Sequence, residues 1–417
     1  MIARAPLEFS TKDQGVTTRR SDLLRDHIRS SLGVARLLMD EVLDAQFSTE
    51  QPDEYRKLTT KASGELAMLL RLARRALPDK EDVATISGLA RDLAPMARAP
   101  HVVRSLFLRP SRAPMYALAH FCLVELGVPD EKVDRVARLA LQSSVCGANE
   151  RVPYRILDAA WTRHLVYGVS ELDHPAILLS PLGAGVDLLE ASAQDAYAFT
   201  HALPYATDFG RLALPDTVDR NYLLGIAEAL AVKALDEDDL DVLAEVLMAP
   251  AILRLNWTPT LLFAWEVLER VWLEVGFVPG PGIPPSPSSE TKTQRVRRVL
   301  GTVYHTTFAA GLCCATLVAC NATPPDVESA QPGRTDAPLG KGAAWKVNWT
   351  NSSQDVQDSL TFLRLAFALR RAVEVVDLVR VRDVLRAAAQ LGLLEHPLFI
   401  QALELMERVG ATEEMSE

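Results

Sequence analysis

Aromatic side chains are sparse in this chain: Phe, Tyr and Trp together make up 6% of its 417 residues. That leaves little material for a cavity that guides cations over stacked rings. Basic charge is also short, with 44 Lys and Arg against 54 Asp and Glu giving a formal net charge of -10. A general nucleic-acid or anionic-membrane surface is therefore not expected, because both need cationic side chains to neutralise phosphate. The five cysteines, two of them adjacent at Cys313 and Cys314, have no framework spacing. They fit free thiols in a reducing compartment. No long apolar run opens the chain, so a secretory signal is not expected and the reading is cytoplasmic. Gly-rich phosphate loops, His-Glu-x-x-His and Gly-x-Ser-x-Gly are missing, so the sequence points to no cofactor, nucleotide or known nucleophile.

Sustained alternation of β-branched and polar residues is missing too, and helical periodicity takes its place. From Ser21 onward Leu24, Ile28, Leu32, Ala35, Leu38 and Val42 form one apolar stripe, and a second helix from about Pro52 to Ala76 is expected to pair with it antiparallel. Helix and breaker then recur every ~20 to 30 residues, a spacing that suits stacked hairpins. The fold expected is all-α: a helical-hairpin repeat or α/α toroid over 111–417, with a loop insertion at 321–355 and an N-terminal helical region at 1–110. Val299 to Ala322 holds no residue of fixed charge. Gly301, Gly311, His305 and several threonines make it read as a buried central helix rather than a membrane span.

The densest chemistry lies between Ser192 and Arg211. Ser192 and Asp195 have capping-box spacing, and Tyr197, His201, Tyr205 and Asp208 then follow at helical steps on one stripe. Histidine titrates near neutrality, so this stripe can supply a base, a phenol and a carboxylate. Pro204 has no N–H to give and is expected to kink or stop the helix near Leu203. A second polar cluster, Tyr304-His305-Thr306-Thr307, interrupts an apolar helix and needs partners if buried. Cys313 and Cys320 lie too far along the helix from His305 to share one zinc with it, and they read as packing residues.

Asp236-Glu237-Asp238-Asp239 matches Asp-x-Asp-Asp and so resembles the proton-donating motif of class II terpene cyclases, over these four residues. The resemblance implies that Asp238 protonates an alkene or epoxide. The plain reading makes the same acids a helix start. Thr200 to Gly210, the Pro-Gly-Pro-Gly at 279–282 and Tyr304-His305-Thr306-Thr307 together resemble an uncharacterised family of helical actinobacterial proteins, over roughly 180–320. That likeness implies that His201, Asp208 and His305 act as a set, and implies no reaction; Pro204 departs from its pattern.

The function expected is a tailoring enzyme of specialised metabolism that binds an apolar small molecule or peptide in a central cavity. His201, Asp208 and His305 would do acid/base work there, with Tyr205 and Tyr197 orienting the ligand. Neither nucleic acid nor membrane is a partner in this reading, and homo-oligomerisation is left open. The alternatives are a non-catalytic helical-repeat scaffold, in which the same polar groups are anchors, and a cyclase acting through Asp238.

Overall fold

The structure, a computed structural model, describes residues 14–40, 53–146, 152–168, 174–280, 291–325 and 354–414. Most of the 321–355 insertion and of the Pro/Gly run after Pro279 lies outside them. Among the described residues the regular elements are all helices, so the protein is all-α.

The core is built around α15 (Lys292–Ala319), with α1 (Gln14–Leu38) and α2 (Asp53–Ala76) packed along it. The apolar stripe of α1 is buried as its spacing requires, with Leu24, Ile28 and Ala35 at 0% exposure. The two N-terminal helices were expected to pair with each other. Instead each packs chiefly on α15, and the two touch only slightly. Gly311 is where the three meet: a Cβ there would lie 2.5 Å from Ser31 Oγ of α1 and 3.0 Å from Leu69 Cδ1 of α2. The most apolar part of α15, Gly301–Ala319, is long enough to cross a membrane, but 78% of that window is buried inside the protein, as in the core helix of a soluble fold.

Between these elements the chain runs through α3 (Lys80–Ala97), α4 (Pro100–Leu108), α5 (Ala113–Glu125), α6 (Glu131–Gln142), α7 (Pro153–Tyr167), α8 (His174–Leu179) and α9 (Pro181–Ala184). Next come α10 (Ala193–Thr207), α11 (Arg220–Glu237), α12 (Leu240–Val246), α13 (Ala249–Leu253) and α14 (Pro259–Val275). After α15 follow α16 (Gln354–Ser359), α17 (Thr361–Glu374), α18 (Leu378–Gln390) and α19 (Pro397–Glu414). One apolar cluster extends from Leu24 to Ala402, and a smaller one under α4, α5 and α6 is centred on Leu106 and Phe121. The heaviest packing joins helices remote in sequence, and this by itself does not establish a repeat or toroid arrangement.

Local rules account for the ends of the site-bearing helices. α10 opens on a complete capping box, in which Ser192 accepts from Asp195 N and the Asp195 carboxylate accepts from Ser192 N. Pro204 does not stop it. The proline sits in the last turn and the helix continues to Thr207, whose hydroxyl donates to Leu203 O at 2.8 Å. The chain then turns through three successive left-handed residues, Asp208, Phe209 and Gly210. α11 is capped by Asp219, and Asp239 caps α12 by accepting from Val242 N.

Candidate active site

Helices α2, α10, α12 and α15 converge on one cavity of about 180 Å³, which α5 and α7 also line, and each of the four brings a polar residue followed by apolar ones a turn or two further on. α2 supplies Glu65 and then Met68; α10 supplies His201 and then Pro204 and Tyr205. α12 and the turn after it supply Glu245 and Met248, and α15 supplies His305, Phe308 and Leu312. Steps of three and four keep each set on one helical face. These polar members stand close together, Asp158 of α7 adds a further carboxylate to the lining, and thioether, aliphatic and ring side chains make up most of the rest.

The polar groups form a chain of charged contacts. His305 Nδ1 lies 3.0 Å from Glu65 Oε2, and its Nε2 lies 3.1 Å from Asp241 Oδ2. Burial alone would lower the pKa of this imidazole, but hydrogen bonds to Asp241 and Glu65 outweigh it and raise the value to about 10. Tyr197 donates its hydroxyl to the same Asp241 oxygen at 3.1 Å. Asp241 stays below the usual carboxylate range: burial opposes ionisation, and bonds to His305 and Tyr197 overcome it. Its other oxygen, Oδ1, is buried with no hydrogen-bond partner among the described residues. Glu245, one helical turn on, accepts from Thr200 Oγ1, yet burial and the nearby Asp241 carboxylate push its pKa up.

His201 stands beside this cluster, with Nδ1 at 2.8 Å from Tyr197 O and 3.9 Å from Glu245 Oε2. A carbonyl only accepts, so Nδ1 carries the proton and the lone pair of the neutral ring is on Nε2. Three tyrosine rings, Tyr154, Tyr197 and Tyr205, hold this imidazole with centroids 5.7 to 5.9 Å away. Tyr205 in turn stacks on Trp161, and burial raises its phenol pKa well above the usual value.

Of the residues singled out from the sequence, His201, His305 and Tyr205 line the cavity. Asp208 does not. It is fully buried in a separate cluster, where Arg71 grips both its oxygens at 2.8 and 3.1 Å, Arg75 lies at 3.1 Å and Trp161 Nε1 donates at 2.8 Å. Burial penalises this carboxylate, but the arginines more than compensate and hold it ionised. Its position at the end of α10 turns it away from His201, which answers the spacing argument that linked them. Asp238 is also elsewhere: it occupies the left-handed C-cap of α11, while Asp236 pairs with Arg371 and Asp239 caps α12. The Asp-x-Asp-Asp run is thus a helix junction. The acids at the cavity are Glu65, Glu245 and Asp158 on its lining, with Asp241 joined to them through His305, and sequence reasoning missed all four. The i, i+4 pair Asp241/Glu245 was the one available signal, and it resembles any solvated helix face.

Neither a curated protein nor a solved structure matches the chain. A family model described as Domain of unknown function (DUF6895) matches residues 32–315. That span contains Glu65, His201, Asp241, Glu245 and His305, and the chain belongs to the DUF6895 family.

Proposed function

We propose that the protein is an enzyme that acts on an apolar small molecule, or one apolar side chain of a peptide, held in this cavity, with His201 moving the proton. The reading is carried by one observation: a histidine whose Nδ1 is occupied by a backbone carbonyl stands beside a charged cluster in a largely apolar cavity. The Tyr197 carbonyl fixes the tautomer, so Nε2 accepts a proton from the substrate and returns it. The cluster of Glu65, His305, Asp241 and Glu245 supplies fixed charge at the reacting group, worth more among apolar walls than in water. The volume of about 180 Å³ is below the roughly 300–1,000 Å³ of pockets for drug-sized ligands. That size favours a small substrate over a protein surface and weighs against a scaffold. Such chemistry is proposed to serve specialised metabolism.

The test is to incubate the purified protein with a small-molecule extract of its host and follow consumption by mass spectrometry. Wild type is compared with His201→Ala and with Gly64→Phe, which fills the cavity from the α2 side where only Leu118 Cδ2 lies near, at 3.9 Å. A compound consumed by wild type, about 100-fold or more slower with His201→Ala and not at all with Gly64→Phe, supports the reading. A compound retained by wild type but never converted would replace it with a non-catalytic binding protein.

A further inference from the structure

The charged cluster at the cavity has the form of a metal site. We infer that Asp241, Glu245 and His305 bind one divalent first-row transition-metal ion. One ligand atom from each, a carboxylate oxygen or a ring nitrogen, lies within 4.8 Å of the other two. Ligands about 2.1 Å from an ion stand about 3.0 Å apart across an octahedral edge and about 3.4 Å apart across a tetrahedral one. The 3.1 Å between His305 Nε2 and Asp241 Oδ2 falls between those values. Glu245 follows Asp241 by one helical turn on α12 and brings its carboxylate within 4.8 Å of both, close enough for a rotamer change to complete the set.

Two further observations point the same way. Asp241 is 2% exposed, and its Oδ1 has no hydrogen-bond partner among the described residues, a costly state for a buried carboxylate unless a cation takes it. His305 already has the outer support that metal-bound histidines use: Nδ1 faces Glu65, which fixes the ring and leaves Nε2 for the ion. Two carboxylates and one imidazole suit zinc, manganese or iron rather than magnesium or calcium, and three protein ligands leave positions open for water and substrate.

The assignment rests on the cavity reading for its purpose, since the ion would hold a carbonyl or phosphoryl oxygen of the substrate beside His201. Its test reads the ion directly. Chelator-stripped protein is titrated with Zn²⁺, and separately with Mn²⁺, by calorimetry. One ion per chain is expected, with affinity lost in Asp241→Asn and Glu245→Gln and lowered about 10- to 100-fold in Glu65→Gln. Circular dichroism checks the fold of each variant, and Glu245→Gln decides should Asp241→Asn not fold. No saturable binding of either ion to wild type, or unchanged affinity in folded Glu245→Gln, overturns the site. Ion binding that fails while His201→Ala still stops turnover removes the metal and leaves the acid/base reading in place. Ion binding without any turnover does the reverse.

Discussion

Asp208 and His201 lie on one short stretch of chain and have opposite kinds of environment. The Asp208 carboxylate is enclosed by Arg71, Arg75 and Trp161, so replacing it leaves two arginines to share the half-exposed Glu125 as their counter-charge. Asp208→Asn keeps the shape and tolerates the left-handed backbone at φ 46, which confines the change to charge. It should cost about 3–5 kcal/mol, read as a lower midpoint in urea, whereas His201→Ala should leave that midpoint nearly in place while removing turnover. An Asp208→Asn protein of wild-type stability but without activity would move Asp208 back into the chemistry. The sequence placed both residues on one stripe, and only the fold separates them. Glu65 shows the converse. Nothing near it in the sequence marks it, because its partner His305 is 240 residues away. Charge partners over such distances leave no local pattern, while a histidine in an uncharged helix does.

At the scale of the element, what could be read from the sequence was what neighbours decide. The Ser192/Asp195 box, the Thr258 cap with Pro259 at the first helical position and the left-handed Gly276 end of α14 follow from a few adjacent residues, and all are present. The pairing of α1 with α2 was inferred from proximity in sequence and gave way to α15, because burying its Gly301–Ala319 stretch, which has no fixed charge, needs partners on several sides. Two glycines of α15 test this packing with opposite signs. A side chain at Gly311 collides with Ser31 and Leu69, so Gly311→Val should destabilise by about 1–3 kcal/mol. Gly301 has nothing within 4 Å of an added Cβ, so Gly301→Ala should stabilise by up to about 1 kcal/mol through helix propensity alone. Thermal melts of the two variants give the answer. Both moving in the same direction would mean that α15 is not clasped as described.

For the molecule as a whole, buried titratable groups oppose one another across mildly acidic pH. Burial lowers His27, stacked on Trp272 at 4.3 Å, to about 4, and lowers His120 to about 4 as well. Each binds a proton more readily when unfolded, so their contribution to stability is complete above about pH 6.5 and is lost as pH falls toward 4. Burial raises Glu266 to about 7. The folded chain therefore holds that proton more tightly, and stability falls as pH climbs from about 4.5 to 7. Wild type should have a shallow profile in this window, and two variants should separate its components. His27→Phe keeps the stack and should gain on wild type as pH drops, on the order of a few kcal/mol, while Glu266→Gln should gain as pH rises; urea unfolding at several pH values reads both. Parallel profiles for wild type and His27→Phe would mean that His27 is not held neutral. The all-α class was legible because it is a property of the periodicity itself, but the meeting of α2, α10, α12 and α15 was not, since it depends on packing that no window of sequence contains. One consequence of that meeting concerns α2. It is pinned at Glu65 to His305 and at Arg71 to Asp208, and a rod fixed at two points on different neighbours can neither slide nor swivel. The wall it gives the cavity is therefore a fixed gauge, and in the proposed enzyme it would sort substrates by size ahead of the chemistry.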